Sequence, residues 1–172
     1  MKPPSLIPHV SANLRAHRGD YGKAEKLFLE SIRLKPTAPA LNNLGWMYVL
    51  YGRKLGEAEA LAISAAEIAR SPAEGAVCYH TAGLAAGLNG DFANAARFLR
   101  KAADLQMQGG GLDAEIAFDL ARFLLLDRRP ADALKALDQS RPAAEPAEAA
   151  NLRALRSEAA RRIETGGGET TP

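Results

Sequence analysis

The sequence predicts an all-α chain, an α-solenoid of antiparallel helix pairs. Three observations predict it: apolar content carried by alanine and leucine, alanines that recur at a near-constant interval, and Gly, Asp or Pro after each amphipathic segment. Hydrophobic residues are 47% of the 172, enough for a sizeable core, and aromatics only 6%. Alanine and leucine lose little entropy on entering a helix, and long β-branched runs are missing. The alanines in DYGKAEKLF, LGEAEALAI, DFANAARFL and PADALKAL are Ala24, Ala58, Ala95 and Ala133, separated by 34, 37 and 38 residues. Four similar blocks at that period indicate stacked helical hairpins, none able to bury its apolar face alone.

The punctuation places the elements. Helices are expected over 5–18 and 21–34, 38–51 and 55–70, 73–88 and 92–106, then 113–126 and 130–139. Within each pair a short turn carries residues suited to ending one helix and starting another: His17-Arg18-Gly19-Asp20, Tyr51-Gly52-Arg53-Lys54, Asn89-Gly90-Asp91 and Asp127-Arg128-Arg129-Pro130. Gly and Asn tolerate the left-handed conformation that closes a helix. Asp20 and Asp91 stand where a carboxylate caps the next one, and Pro130 suits a first turn. Lys35-Pro36-Thr37, Ser71-Pro72 and Gly109-Gly110-Gly111 separate the blocks. A further segment, 146–164, has an apolar stripe of Ala149, Leu152, Ala159 and Ile163, with Leu155 beside it. Arg153, Glu158, Arg161 and Arg162 lie opposite, as in a helix that ends a stack in water. The expected organisation is an N-terminal extension at 1–4 and repeats at 5–36, 37–72, 73–110 and 111–141, the last degenerate. A capping helix within 142–164 and a disordered tail at 165–172 follow.

These blocks resemble tetratricopeptide repeats of bacterial type. That pattern reads Trp-x2-Leu-Gly-x2-Tyr, then Ala-x3-Phe, then Pro. Block two gives Leu41-x2-Leu44-Gly45-x2-Tyr48, then Ala58-x3-Ala62 after a turn longer by one residue. Block one gives Ala24-x3-Phe28 and Pro36. Block three gives Tyr79-x2-Ala82-Gly83 and Ala95-x3-Leu99, and block four Ala117-x2-Leu120-Ala121-x2-Leu124 and Ala133-x3-Leu137. The resemblance covers about residues 5–140 and implies a right-handed superhelix with the first helix of each pair on the concave side. Gly45, Gly83 and Ala121 then fall where first helices cross the second helices at Ala58, Ala95 and Ala133, close enough to offset the roughly 1 kcal/mol that interior glycine costs a helix.

The same register sets out the concave face. Block one places His9, Asn13 and His17 there, with Leu6 and Val10. Block two places Asn42, Asn43 and Trp46, with Val49 and Leu50. Block three places His80, Thr81 and Leu84, with Val77 and Leu88, and block four Phe118 and Arg122, with Glu115, Asp119 and Leu125. Asparagine can donate to and accept from a peptide backbone, and tryptophan is enriched among binding anchors. The partner-binding set expected is therefore His9, Asn13, His17, Asn42, Asn43, Trp46, His80, Thr81, Leu84, Phe118 and Arg122. The expected role is a non-catalytic scaffold that holds a partner peptide or protein segment in this groove, within a bacterial assembly or export complex. The alternative is a small secretion chaperone holding an export substrate.

Other classes fit less well. Twenty-two basic and 20 acidic residues leave a net charge of +2, with Lys and Arg scattered, so no phosphate-tracking face is expected. No run of about 18 apolar residues exists and the proline-rich N-terminus lacks a signal-peptide core, which points to a cytoplasmic chain or an exported fragment. A lone cysteine, Cys78, allows no internal disulfide. His9 and His17 are two helical turns apart, about 12 Å, too far to share a metal. Neither a cofactor nor a metal is expected. Asn13 and Asn43 match the asparagines of the carboxylate clamp known in such repeats, but His9, Val77 and Thr81 stand at its cationic places, so that clamp is not expected. No nucleophile-base arrangement is present: Cys78 and His80, two apart on a helix, point in different directions, and no enzyme activity is expected. The crossing argument predicts that Gly83→Leu and Ala95→Leu each overpack the helix contact by about 1–3 kcal/mol. Thermal melts should show a clear loss for both and none for Arg100→Leu; equal effects from all three would refute the register.

Overall fold

The computed structural model describes residues 21–165. The expected helix over 5–18, and with it His9, Asn13 and His17, lies outside the described residues, as does the tail beyond Thr165. Among the described residues there are eight helices: α1 (Tyr21–Leu34), α2 (Ala38–Tyr51), α3 (Leu55–Glu67), α4 (Pro72–Leu88), α5 (Phe92–Gln108), α6 (Ala114–Leu126), α7 (Pro130–Asp138) and α8 (Pro146–Glu164). They form an α-solenoid. Each helix packs on its successor in the chain, and α2 also packs on α4, α4 on α6 and α6 on α8. The alternate helices α1, α3, α5 and α7 make no comparable approach to one another. The stack therefore closes up along the even-numbered helices and opens along the odd-numbered ones. This curvature makes α2, α4 and α6 an inner face. The last helix, α8, takes the next place in that inner row.

Local chemistry sets the helix ends. Thr37 accepts from the Ala40 amide at 3.3 Å, Ser71 from Glu74 at 3.2 Å and Asp91 from Asn94 at 3.0 Å, each satisfying an orphan donor of a first turn. The inner helices end alike. Residues 52, 90 and 128 all have positive φ, at 60°, 88° and 58°. The amide after each one reaches back to close the last turn: Arg53 to the Tyr48 carbonyl, Asp91 to Ala86 and Arg129 to Leu124. This double closure wants glycine, and the third instance instead holds Arg128 in the left-handed region. The extra residue of the α2–α3 turn is Lys54, also at positive φ (49°). Its Nζ donates to Glu25 at 2.8 Å, and the buried Tyr48 hydroxyl donates to the same carboxylate oxygen at 2.7 Å. These two bonds hold the Glu25 carboxyl below its usual range, Lys54 contributing most. They tie α1 to the first inner turn.

Two boundaries differ from expectation. Helix α3 ends at Glu67, not 70. Ile68 and Ala69 close with tighter bonds to Ala65 and Ala66, because Ser71 must be extended to cap α4 and the residue before Pro72 is disfavoured in the helical region. On α8, Leu152 and Ala159 are buried as expected, whereas Ile163 is 45% exposed. Arg162, expected on the free face, instead donates from Nη1 to the Leu125 carbonyl at 2.7 Å, and Arg156 Nη2 donates to the Leu137 carbonyl at 2.8 Å. Arginines from the last helix thus satisfy carbonyls at the ends of α6 and α7, where the helix dipole favours cations.

The crossings are as close as the small residues imply. A Cβ on Gly45 would lie 3.0 Å from the Ala58 carbonyl oxygen, and one on Gly83 2.6 Å from Leu99 Cγ. Ala58, Ala95, Ala121 and Ala133 are fully buried. Gly87 is a closer approach still, since a Cβ there would overlap the Phe123 ring of α6. A Cβ on Gly56, in contrast, would meet nothing within 4 Å. Replacing Gly87 by Ala is expected to cost about 1–3 kcal/mol through overpacking, while Gly56→Ala gains about 0.5 kcal/mol from helix propensity. Urea unfolding of the two variants should move the midpoint in opposite directions; a shift of the same sign in both would contradict the α4–α6 packing.

Candidate functional site

The inner face presents a row at i, i+4, i+7 and i+11 on each of α2, α4 and α6. On α2 this row is Pro39, Asn43, Trp46 and Leu50. The equivalent places, 38 residues on each time, are Val77, Thr81, Leu84 and Leu88 on α4, and Glu115, Asp119, Arg122 and Leu126 on α6. Exposure varies along the row. Asn43, Trp46 and Arg122 are half-buried, and Leu50, Val77, Glu115, Leu88 and Leu126 are exposed. Thr81 and Leu84 are 2% and 9% exposed, on a helix that packs against both α2 and α6. The Thr81 hydroxyl donates to the Val77 carbonyl at 3.2 Å. Thr81 and Leu84, expected to contact a partner, have almost no surface to offer one. Val49 and Leu125 are buried in the core, and Leu126 takes the exposed place expected of Leu125.

Asn42, His80 and Phe118 form a second row, one residue before the first and turned toward the packing. Asn42 is 7% exposed and its Oδ1 has no hydrogen-bond partner. His80 Nε2 lies 2.9 Å from Asp119 Oδ2, and Arg122 Nη2 lies 3.0 Å from Asp119 Oδ1. One carboxylate thus joins α4 to α6 and holds two expected site residues, His80 and Arg122, in place. Arg122 also lies over the Phe123 ring, 4.5 Å from its centroid. Sequence reasoning put Asp119 on the inner face but did not count it as a site residue. The available signal was a carboxylate inside the apolar run Ile116–Leu126, three residues before an arginine.

The structure brings Asn43, Trp46, His80, Phe118 and Arg122 to one side of the stack and removes Asn42, Thr81 and Leu84, all expected to contact a partner, from its surface. Cys78 packs with Ala38, Leu41 and Ala65, away from His80, and burial pushes its thiol up to about 11. A buried, protonated thiol is a poor nucleophile. Among the described residues no cluster of His, Cys, Asp and Glu could hold a metal, and no helix is long and apolar enough to cross a membrane.

No family model matches the sequence, and no curated protein matches it. Solved structures do match the fold. Kinesin-light-chain-type TPR-like repeats from Podosopora anserina superpose with a TM-score of 0.67 at 18% identity, covering 95% of this chain and 93% of that one. BtubC (BKLC) from P. vanneervenii gives 0.66 at 16% identity, over 98% and 84%. MamA gives 0.63 at 16%, over 94% and 88%. The chain has the TPR-like repeat fold. Removing the bridging carboxylate by Asp119→Ala strands His80 and Arg122 and is expected to cost about 1–3 kcal/mol, against less than about 0.5 kcal/mol for the exposed Glu115→Ala. Chemical denaturation measures both, and equal values would show that the bridge adds nothing.

Proposed function

We propose that this chain is a non-catalytic interaction scaffold that holds a segment of a partner protein along α2, α4 and α6. One observation carries the reading: the inner face leaves Trp46 half-buried and Leu50, Val77 and Leu88 exposed, on helices whose backs are locked by close crossings. A rigid, preformed surface with an aromatic anchor loses little entropy on binding. Asn43, half-buried beside Trp46, can both donate to and accept from the backbone of a bound segment. A solved structure of similar fold that carries a partner supports the reading. It is Naa15/Naa10 bound to HypK-THB, and this chain matches about a quarter of the chain compared, with a TM-score of 0.60 at 20% identity. The setting we propose, a bacterial assembly or export complex, rests on the resemblance of the blocks to tetratricopeptide repeats of bacterial type. Affinity capture from a cell extract, run in parallel with wild type and Asn43→Ala/Trp46→Ala, tests the groove. A specific partner is expected to be retained by wild type and reduced at least tenfold on the variant. A partner held equally by both would place its site elsewhere.

A further inference from the structure

The turn that ends α4 carries a chemical liability beside its structural role. Asn89 is followed by Gly90, and none of the other asparagines, Asn13, Asn42, Asn43, Asn94 and Asn151, precedes a glycine. An asparagine side-chain amide is open to attack by the backbone nitrogen of the next residue, and glycine has no Cβ to shield that nitrogen. Leu88, Asn89, Gly90 and Asp91 are all exposed, so water and base reach the turn. The folded geometry nonetheless holds the reacting atoms apart. Asn89 has ψ −1°. At that angle the Gly90 nitrogen eclipses the backbone nitrogen of Asn89 and is turned away from the side chain it must reach. The Gly90 amide is also occupied, donating to the Gly87 carbonyl at 3.1 Å, and the next amide, of Asp91, donates to Ala86 at 3.0 Å. Gly87 belongs to the part of α4 seated on the Phe123 ring, so the acceptors are held by the packing of the helix. Turning Asn89 to a reactive ψ breaks both bonds, and these two bonds are the closure of α4.

We propose that Asn89–Gly90 is a site of spontaneous deamidation, restrained in the folded chain by the closure of α4 and released when that turn opens. The step needs only water. The Gly90 nitrogen gives up its proton and forms a bond to Asn89 Cγ, and the side-chain nitrogen leaves as ammonia, closing a succinimide ring. Water then opens the ring. Cleavage between the Gly90 nitrogen and Cγ leaves aspartate, cleavage between that nitrogen and the main-chain carbonyl carbon leaves isoaspartate, and nothing is oxidised or reduced. The turn lies at an exposed helix end, where local opening is least costly. Both products work against its closing again. A carboxylate at residue 89 meets the negative end of the α4 dipole and stands near Asp91, whose own carboxylate caps α5. Isoaspartate routes the backbone through the side-chain carbon and lengthens the turn within the closure itself.

The test follows the full chain by peptide mass mapping during incubation in mildly alkaline buffer made with heavy-oxygen water, folded and in urea. Conversion is expected at Asn89, marked by incorporated heavy oxygen, and not at Asn42, Asn43, Asn94 or Asn151. It should run faster in urea than in the folded chain by about tenfold or more. Asn89→Gln, whose longer side chain does not close the same ring, should abolish the signal. Converted and unconverted chains, separated by their difference in charge, should melt apart, with the converted chain lower. No conversion at Asn89 in urea, or equal conversion at the other asparagines, would overturn the site. Equal rates with and without urea would overturn the restraint, and coincident melts would overturn its link to the closure of α4.

Discussion

A methyl group on Gly83 would sit 2.6 Å from Leu99 Cγ, and one on Gly45 3.0 Å from the Ala58 carbonyl oxygen. Helix axes can come this near only where one partner has no side chain, and the alanines opposite are small for the same reason. The approach lets flanking residues such as Leu44, Tyr48 and Phe98 bury their whole surface, at about 25 cal/mol per Å². Glycine's propensity cost, roughly 1 kcal/mol in a helix interior, is small beside a buried leucine or tyrosine. The crossing also fixes rotation. Once Gly83 faces Ala95 and Leu99, the residues of α4 on the opposite side can only point inward, so the inner face is a consequence of core packing.

The turns carry that register from pair to pair. Each inner helix closes through a left-handed residue at 52, 90 and 128, 38 residues apart. Where the length changes, as at the extra Lys54, the backbone absorbs the residue in a second left-handed position, and its ammonium joins Glu25 and Tyr48. A one-residue insertion is thus turned into an added tie between α1 and α2. Glycines at 110 and 111 do similar work at the α5–α6 loop. Their φ values of 112° and 139° bring the chain beneath Arg141, whose amide donates to the Leu112 carbonyl at 2.8 Å. The loop after α5 and the loop after α7 are joined along one edge.

Most of the helices were legible in the sequence because their ends are marked by local chemistry: Asp91 as a cap, Lys35-Pro36-Thr37 and Ser71-Pro72 as breaks, Gly52 and Gly90 as stops, Pro130 and Pro146 as starts. The end of α3 was not. Ala65, Ala66 and Ala69 continue a helical pattern that the Ser71-Pro72 cap of the next helix forbids, and two local preferences in conflict cannot be weighed by eye. The direction of the inner face followed from the resemblance to tetratricopeptide repeats. What it holds did not, since burial of Thr81 and Leu84 depends on how closely α2 and α6 approach α4, and the His80–Asp119 contact joins residues 39 apart on different helices. Arg162 shows the same limit. Its position suggested solvent, and the fold offered it the Leu125 carbonyl.

The bridge at Asp119 bears on what kind of surface this is. A buried carboxylate left alone on the inner face would attract a cation from any partner and would make the groove selective for basic segments. Here two neighbours engage it, one from α4 and one from its own helix, so its charge is spent on the α4–α6 junction. Arg122 is held in turn, with Asp119 at its end and the Phe123 ring beneath it. Polar residues that in isolation look like ligand contacts therefore act first on each other, and the surface they leave is rigid and nearly neutral.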